Sequence, residues 1–181
     1  ELFSYIERFK GSRFVVKIDD ALVSTGVFPT LVQDLAQLRK IGIELVVVAG
    51  ARRSIDDVLD RYGIPRQMAD GIRVSTDEAM PLIEMAAFDV ATKIMTRLTG
   101  AGIDAVVGNW VRARTLGVVD GIDYLNTGSV EGIVVERIGR LVCDGIVPIL
   151  PCIGWNHRGE PYNVSSNRLA ADLATRFGAG K

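Results

Sequence analysis

The chain has 181 residues, of which 48% are hydrophobic and 24% are charged, and its formal net charge is −1. This length and composition predict one globular domain, and the nearly neutral charge argues against a nucleic-acid-binding protein, which usually carries a basic face. No window approaches the roughly 18 to 20 consecutive apolar residues that a membrane-spanning helix requires, so we expect no membrane partner.

The amino-terminal part predicts alternating helices and strands. Residues 2–10 predict a short helix whose apolar side must pack either on its own domain or on another subunit. Strands are predicted at 13–18 and 43–48, with an amphipathic helix at 27–41 between them. The second strand organises the fold, because a run of β-branched residues closed by Gly50 is typical of a strand buried on both faces.

Gly50 and Ala51 form a tight exit from this second strand, and a helix is predicted at 54–62. A strand, a tight turn and a helix bring free backbone N–H groups and the positive end of a helix dipole to one point. In an open α/β sheet, that point lies at the carboxyl end of a central strand, where ligands usually bind. The turn therefore predicts an anion site, and an ordinary βα turn is the alternative.

The rest of the chain continues the alternation and adds hairpins. Ser75 to Glu78 fits a capping box at the start of a helix. The further helices are predicted at 75–98, 136–144 and 165–177, the strands at 103–107 and 146–150, and the hairpins at 64–74, 110–134 and 155–164. Alternating strands and helices predict an α/β fold, a three-layer αβα sandwich with a mostly parallel open sheet, with hairpin excursions over one sheet edge.

The two cysteines, Cys143 and Cys152, both lie in apolar runs. We expect them to be buried free thiols in a reducing compartment, which predicts a cytoplasmic protein. His157 is the only histidine, and no cysteine lies at ligand spacing, so we expect no metal site. Its turn-like surroundings also argue against a Ser-His catalytic pair.

Five segments form an ordered set of motifs. They are VVKIDD (15–20), VVVAGARRSID (46–56), GIRVSTDEA (71–79), GNWVRARTLGVVDGIDYLNTGSV (108–130) and YNVSSNRLAADLA (162–174). Together they resemble the amino-acid kinase family, and within it the N-acetylglutamate kinase and synthase branch. The resemblance covers nearly the whole chain. It implies a carbamate-kinase-like fold in which residues 12–181 form the amino-terminal lobe and residues 1–11 form a helix able to contact other subunits.

The resemblance implies that Lys17 corresponds to a phosphate-binding lysine of the kinases, and a solvent-exposed lysine at a strand end is the alternative. Three departures argue against phosphoryl transfer. Asp19 and Asp20 stand where the kinases have two glycines, and their negative charges would repel phosphate. Asn167 stands where the kinases carry an aspartate. The third departure is length, because the family's nucleotide lobe would follow the helix that ends near Phe177, where this chain stops. We therefore expect Lys17 to be a relict and expect no catalytic residue in this chain.

The resemblance also implies a ligand pocket. Arg73 matches an arginine that grips the acetylglutamate carboxylate, and Asn163 matches an asparagine that contacts the same ligand. Gly50 and Ala51 would supply backbone donors, and Arg52 would crowd the pocket or add charge to it. The implied ligand is N-acetylglutamate or L-arginine. The alternatives are a structural ion pair at Arg73 and a relict pocket.

Three functions remain open. The turn Gly50-Ala51-Arg52 is similar to that of the synthases, which favours a regulatory and assembly domain of an arginine-regulated N-acetylglutamate synthase in arginine biosynthesis. In such a protein a separate domain would transfer the acetyl group from acetyl-CoA to glutamate, so no cofactor is expected in this chain. The resemblance further implies a homo-oligomer, with a ring-like hexamer as the family's assembly and a monomer or simple dimer as the alternative. The second function is an ATP-dependent acetylglutamate kinase, and the third is a non-catalytic module that binds an acidic amino acid.

Overall fold

The computed structural model describes residues 9–181, so most of the helix predicted at 2–10 lies outside the described residues. Phe9 belongs to the described part and packs edge-on against Phe14, with the ring centroids 5.9 Å apart. It is one of the partly buried side chains against the larger core cluster. At least this end of the segment therefore packs on its own domain.

The chain alternates between helices and strands of the central sheet, and runs of consecutive strands interrupt this alternation. The strands are β1 (Arg13–Asp19), β2 (Glu44–Gly50), β3 (Met68–Ala69), β4 (Ile72–Arg73), β5 (Ala105–Val107), β6 (Val111–Thr115), β7 (Val118–Val119), β8 (Ile122–Asp123), β9 (Thr127–Ile133), β10 (Val147–Pro151), β11 (Ile153–Trp155) and β12 (Pro161–Val164). The helices are α1 (Asp20–Val23), α2 (Phe28–Lys40), α3 (Arg52–Arg61), α4 (Met80–Gly100), α5 (Val135–Cys143) and α6 (Ser166–Phe177). The short helix α1 was not predicted from the sequence.

The central sheet has the order β1-β2-β10-β5, and its neighbouring strands are parallel. In β2 every residue after Glu44 is buried, which confirms the prediction of a strand covered on both faces. Leu45 and Val47 face a core with α2, α3 and α4, whereas Val46 and Val48 face a second core with α5 and α6. Helices therefore cover both faces of the sheet, and the three-layer αβα fold is confirmed.

The predicted hairpins at 110–134 and 155–164 do not simply lie over the sheet edge. Strands β6, β9, β12 and β11 close into a small barrel. Two glycines allow this close approach, because a Cβ at Gly154 would lie 2.6 Å from the Cβ of Ala113, and a Cβ at Gly128 would lie 2.9 Å from the carbonyl oxygen of Arg114. Barrel closure depends on pairings between distant segments, which a hairpin pattern alone does not reveal.

Two helix starts differ from the sequence prediction. Helix α3 begins at Arg52 rather than at residue 54. Helix α4 begins at Met80, and the hydroxyl of Thr76 accepts a hydrogen bond from the Ala79 N–H at 3.2 Å. Ser75 does not act as the predicted cap, because its hydroxyl is buried and bonded to Thr127 at 2.9 Å.

Candidate functional site

A cavity of about 220 Å³ opens where the carboxyl ends of the parallel strands meet the barrel and the β3–β4 hairpin. This is the edge of an α/β sheet where ligands usually bind. Its lining residues are Lys17, Asp19, Ala51, Arg52, Ile55, Met68, Gly71, Ile72, Arg73, Thr127, Cys152, Asn163, Val164, Ser165, Ser166 and Asn167. The cavity therefore combines cationic, amide and hydroxyl groups with an apolar wall.

The Lys17 ammonium is engaged by a carboxylate of its own strand. Its Nζ donates to both oxygens of Asp19, at 2.6 and 2.7 Å. The pair lies at the end of β1, where two residues separated by one position point to the same side of the strand. The positive charge that the sequence suggested as a relict phosphate ligand is consequently balanced within the chain.

The amino terminus of α3 is also engaged from within the chain. Asp20 is only 6% exposed, and its Oδ2 accepts a hydrogen bond from the Ser54 N–H at 2.5 Å. Its Oδ1 accepts from the Ala21 N–H at 2.8 Å. The residue before α3, Ala51, offers no side-chain cap, so Asp20 supplies the negative group that a helix amino terminus favours. The predicted anion site thus holds the chain's own carboxylate.

Arg73 is the most deeply buried cation of the cavity, with 8% of its surface exposed. Its Nη2 donates a short hydrogen bond to Oδ1 of Asp56 on α3. Within the described residues, its Nη1 is buried and has no hydrogen-bond partner. Because an unpaired buried guanidinium nitrogen is costly, this nitrogen is a candidate contact for a ligand in the cavity that Arg73 lines.

A buried hydroxyl network fixes the barrel side of the cavity to the hairpin. Thr127 Oγ1 lies 2.5 Å from the carbonyl oxygen of Arg73 and 2.9 Å from Ser75 Oγ. The amide Nδ2 of Asn163 donates to the same Ser75 hydroxyl at 3.1 Å. The network places Arg73 and Asn163, two residues from distant parts of the sequence, on neighbouring walls of one cavity.

The structure brings most of the sequence-predicted site residues together. The cavity lining includes Lys17, Ala51, Arg52, Arg73 and Asn163. Gly50 is buried beside it, where a Cβ would lie 2.5 Å from Oδ1 of Asp19. The glycine therefore makes room for the Lys17–Asp19 pair.

Two residues that shape the site were missed from the sequence. The sequence offers an acidic partner for Arg73 as an alternative but does not point to Asp56, and it presents Asp20 only as a charge that repels phosphate. A local sequence pattern does not identify either pair, because Asp56 lies 17 positions from Arg73 and Asp20 lies 34 positions from Ser54.

The two cysteines are free thiols in different surroundings. Cys152 lines the cavity and is 4% exposed, and its burial raises the pKa of its thiol to about 11. Cys143 is exposed, so the prediction of two buried thiols was wrong for this residue. It follows the buried Val142 on α5, and successive helical residues point about 100° apart.

Residues 9–181 contain no helix that is long and apolar enough to cross a membrane. Over the same range, no cluster of three or more His, Cys, Asp or Glu side chains is arranged to hold a metal ion.

Sequence comparison finds a family match and many related proteins. The model of the amino acid kinase family matches residues 12–181. Two similar relatives are named amino-acid acetyltransferase, one from Ralstonia nicotianae at 31% identity and one from Aeromonas salmonicida at 36% identity. Each match covers 98% of this chain but only 41% or 42% of the relative, so the chain spans less than half of these proteins.

Structural comparison agrees with the sequence comparison. The N-acetylglutamate synthase from Neisseria gonorrhoeae, solved with coenzyme A and N-acetyl-glutamate, matches with a TM-score of 0.90 and 26% identity, over 99% of this chain and 42% of the synthase chain. Carbamate kinase from Giardia lamblia, bound to AMP-PNP, matches with a TM-score of 0.64 over 93% of this chain and 68% of the kinase, and at 10% identity it shows a shared fold only. The chain belongs to the amino acid kinase family.

Proposed function

We propose that this chain is the amino-acid-kinase-like domain of an N-acetylglutamate synthase and serves as a regulatory and ligand-binding module. The match to amino-acid acetyltransferases over 98% of the chain supports this assignment. Transfer of the acetyl group from acetyl-CoA to L-glutamate then belongs to the part of those relatives that this chain does not span. This reaction would be the first step of arginine biosynthesis.

One observation carries the choice of a regulatory module over a kinase. Phosphoryl transfer needs a donor-rich cradle and positive charge around the phosphate oxygens. Here Asp19 engages the ammonium of Lys17, and Asp20 engages the amino terminus of α3. The two groups that the sequence suggested for phosphate, Lys17 and the amino terminus of α3, are therefore occupied by carboxylates of the chain itself, and a triphosphate would have to displace them.

The ligand that fits the cavity best is a small carboxylate. The unpaired Nη1 of Arg73 supplies a buried cationic donor, and Arg52 adds a second positive charge at the rim. We propose N-acetylglutamate as this ligand, with L-arginine as the alternative. The gonococcal synthase has been solved with each of these molecules, which supports both candidates.

We also propose that the protein forms a homo-oligomer in the cytoplasm, with a hexamer as the assembly that the family resemblance implies. The family resemblance supports the assembly, and the free thiols Cys143 and Cys152 are compatible with a reducing compartment. Several large apolar side chains are exposed and available for subunit contacts, among them Val27, Tyr62 and Met85.

Calorimetric titration of the purified chain with N-acetylglutamate, L-arginine and ATP tests the ligand part of the proposal. We expect heat of binding for one of the two amino acids and none for ATP. A coupled assay with ATP and N-acetylglutamate tests the chemistry, and we expect no phosphorylation above background. Phosphorylation that disappears in Lys17→Ala would show that the chain is a kinase after all.

A further inference from the structure

The two terminal nitrogens of Arg73 have different partners. Nη2 is bonded to Asp56, whereas Nη1 is buried and unpaired within the described residues. The Asp56 side chain is about one quarter exposed, whereas that of Arg73 is 8% exposed. A guanidinium can serve two acceptors at once because its donors form a rigid planar fork.

Asp56 contacts both ends of the β3–β4 hairpin. Its Oδ1 binds Arg73 on β4, and its Oδ2 lies 3.7 Å from Nη1 of Arg66, which precedes β3. Arg66 is held in turn by Asp60, one turn later on α3, at 2.6 Å. The hairpin that forms one wall of the cavity is therefore tied to α3 by a chain of alternating charges.

We infer that Asp56 is the positioning residue of this cavity: it engages one nitrogen of Arg73 and thereby directs the other nitrogen to the carboxylate of the ligand. This inference rests on the ligand-binding role proposed above and assigns a task to a residue that the family resemblance leaves without one. The ligand carboxylate binds Nη1 and not Nη2, because Nη2 is already bonded to Asp56.

Position 73 requires arginine because its two terminal nitrogens bind different acceptors. A lysine would bring a single ammonium, which acts as one compact charge rather than as a planar pair of donors. In Arg73→Lys, Asp56 and the ligand would compete for that ammonium. Removing the charge of Asp56 would then release the ammonium to the ligand.

This competition predicts that Asp56→Asn has opposite effects in two backgrounds. In the wild-type background it should weaken binding of N-acetylglutamate about three- to ten-fold, because Arg73 loses its orientation. Arg73→Lys alone should weaken binding at least about ten-fold, a loss of about 1.4 kcal/mol. Adding Asp56→Asn to Arg73→Lys should then strengthen binding, and such a reversal of sign measures direct coupling between the two residues.

Asp60→Asn is the matched control. Asp60 lies on the same helix and binds the same Arg66, but among the described residues it has no hydrogen bond or ion pair to Arg73. It should leave affinity within about two-fold of its parent in either background, since exposed ion pairs contribute little. Calorimetric titration gives the affinities of all variants, and urea unfolding shows which of them are folded.

The outcomes separate this inference from the proposed function. If the wild-type chain binds neither N-acetylglutamate nor L-arginine, the proposed ligand site is wrong and the inference falls with it. If the wild-type chain binds a ligand but Asp56→Asn changes the affinity in the same direction in both backgrounds, only the inference is overturned. If Arg73→Lys does not fold, the inference is tested by comparing the ligand affinities of Asp56→Asn and Asp60→Asn. Equal affinities for these two variants reject the role of Asp56.

Discussion

Replacing Asp20 with alanine tests whether the amino terminus of α3 is stabilised from within the chain. The change removes the acceptor of the 2.5 Å hydrogen bond from the Ser54 N–H and a negative charge next to the start of a ten-residue helix. A hydrogen bond to a charged group contributes about 1.5 to 3 kcal/mol, and a favourable charge at a helix end contributes about 0.3 to 1 kcal/mol. Part of this gain offsets the cost of burying the carboxylate, so we expect a net loss of about 2 kcal/mol.

Urea unfolding followed by circular dichroism measures this loss in the free energy of unfolding, provided that its dependence on urea concentration has the same slope in both proteins. Asp20→Asn should lose about half as much, because the amide keeps an acceptor without the charge. Asp19→Ala is the neighbouring control: its carboxylate is more than half exposed and pairs with Lys17, and such pairs contribute about 0 to 1 kcal/mol.

A second measurement tests whether Asp20 occupies an anion site. Phosphate should stabilise Asp20→Ala more than it stabilises the wild-type chain, because an oxyanion can take the place of the missing carboxylate. If Asp20→Ala loses no more stability than Asp19→Ala and gains nothing extra from phosphate, Asp20 does not cap the helix and the reasoning fails.

Three further predictions concern other parts of the chain. A thiol reagent should label Cys143 in the folded protein and reach Cys152 only after unfolding, as mass spectrometry would show; rapid labelling of both would contradict the burial of Cys152. Because burial raises the pKa of Cys152 from 9.0 to about 11, the unfolded state ionises first, and stability should fall as pH rises from 9 towards 11. Between pH 8 and 10 the wild-type chain should lose roughly 1 kcal/mol more than Cys152→Ala, and equal losses in urea titrations would refute this. Removing residues 1–10 should lower the oligomeric mass in light scattering while the fold persists, whereas an unchanged mass would assign this segment to its own domain.

The features that could be predicted from the sequence are local. Strand β2 was recognised because Val46, Val47 and Val48 follow each other before Gly50, and such a run specifies a buried strand without reference to the rest of the chain. Helix α6 was predicted at 165–177 from apolar residues at helical spacing, and Leu169, Leu173 and Phe177 are buried on one side of it. The parallel sheet then follows from the alternation of such elements.

The features that were missed depend on distant residues. Thr127 and Ser75 meet across 52 positions, and this contact replaces the predicted capping box of α4. The barrel likewise needs Asn163 of β12 to pair with Thr127 of β9. The cap of α3 was missed because its acceptor, Asp20, belongs to a different element. In each case a residue has several possible partners in the sequence, and only the packed structure selects one.

A single residue, Cys152, separates β10 of the central sheet from β11 of the barrel. One buried residue between two hydrogen-bonded strands leaves no segment that could bend, so the sheet and the barrel should move as one rigid unit. The walls that carry Ala51 and Asn163 would then keep their spacing whether a ligand is present or absent. The β3–β4 hairpin is bonded to the barrel through Thr127 and to α3 through Asp56, so the cavity would select ligands by a fixed size.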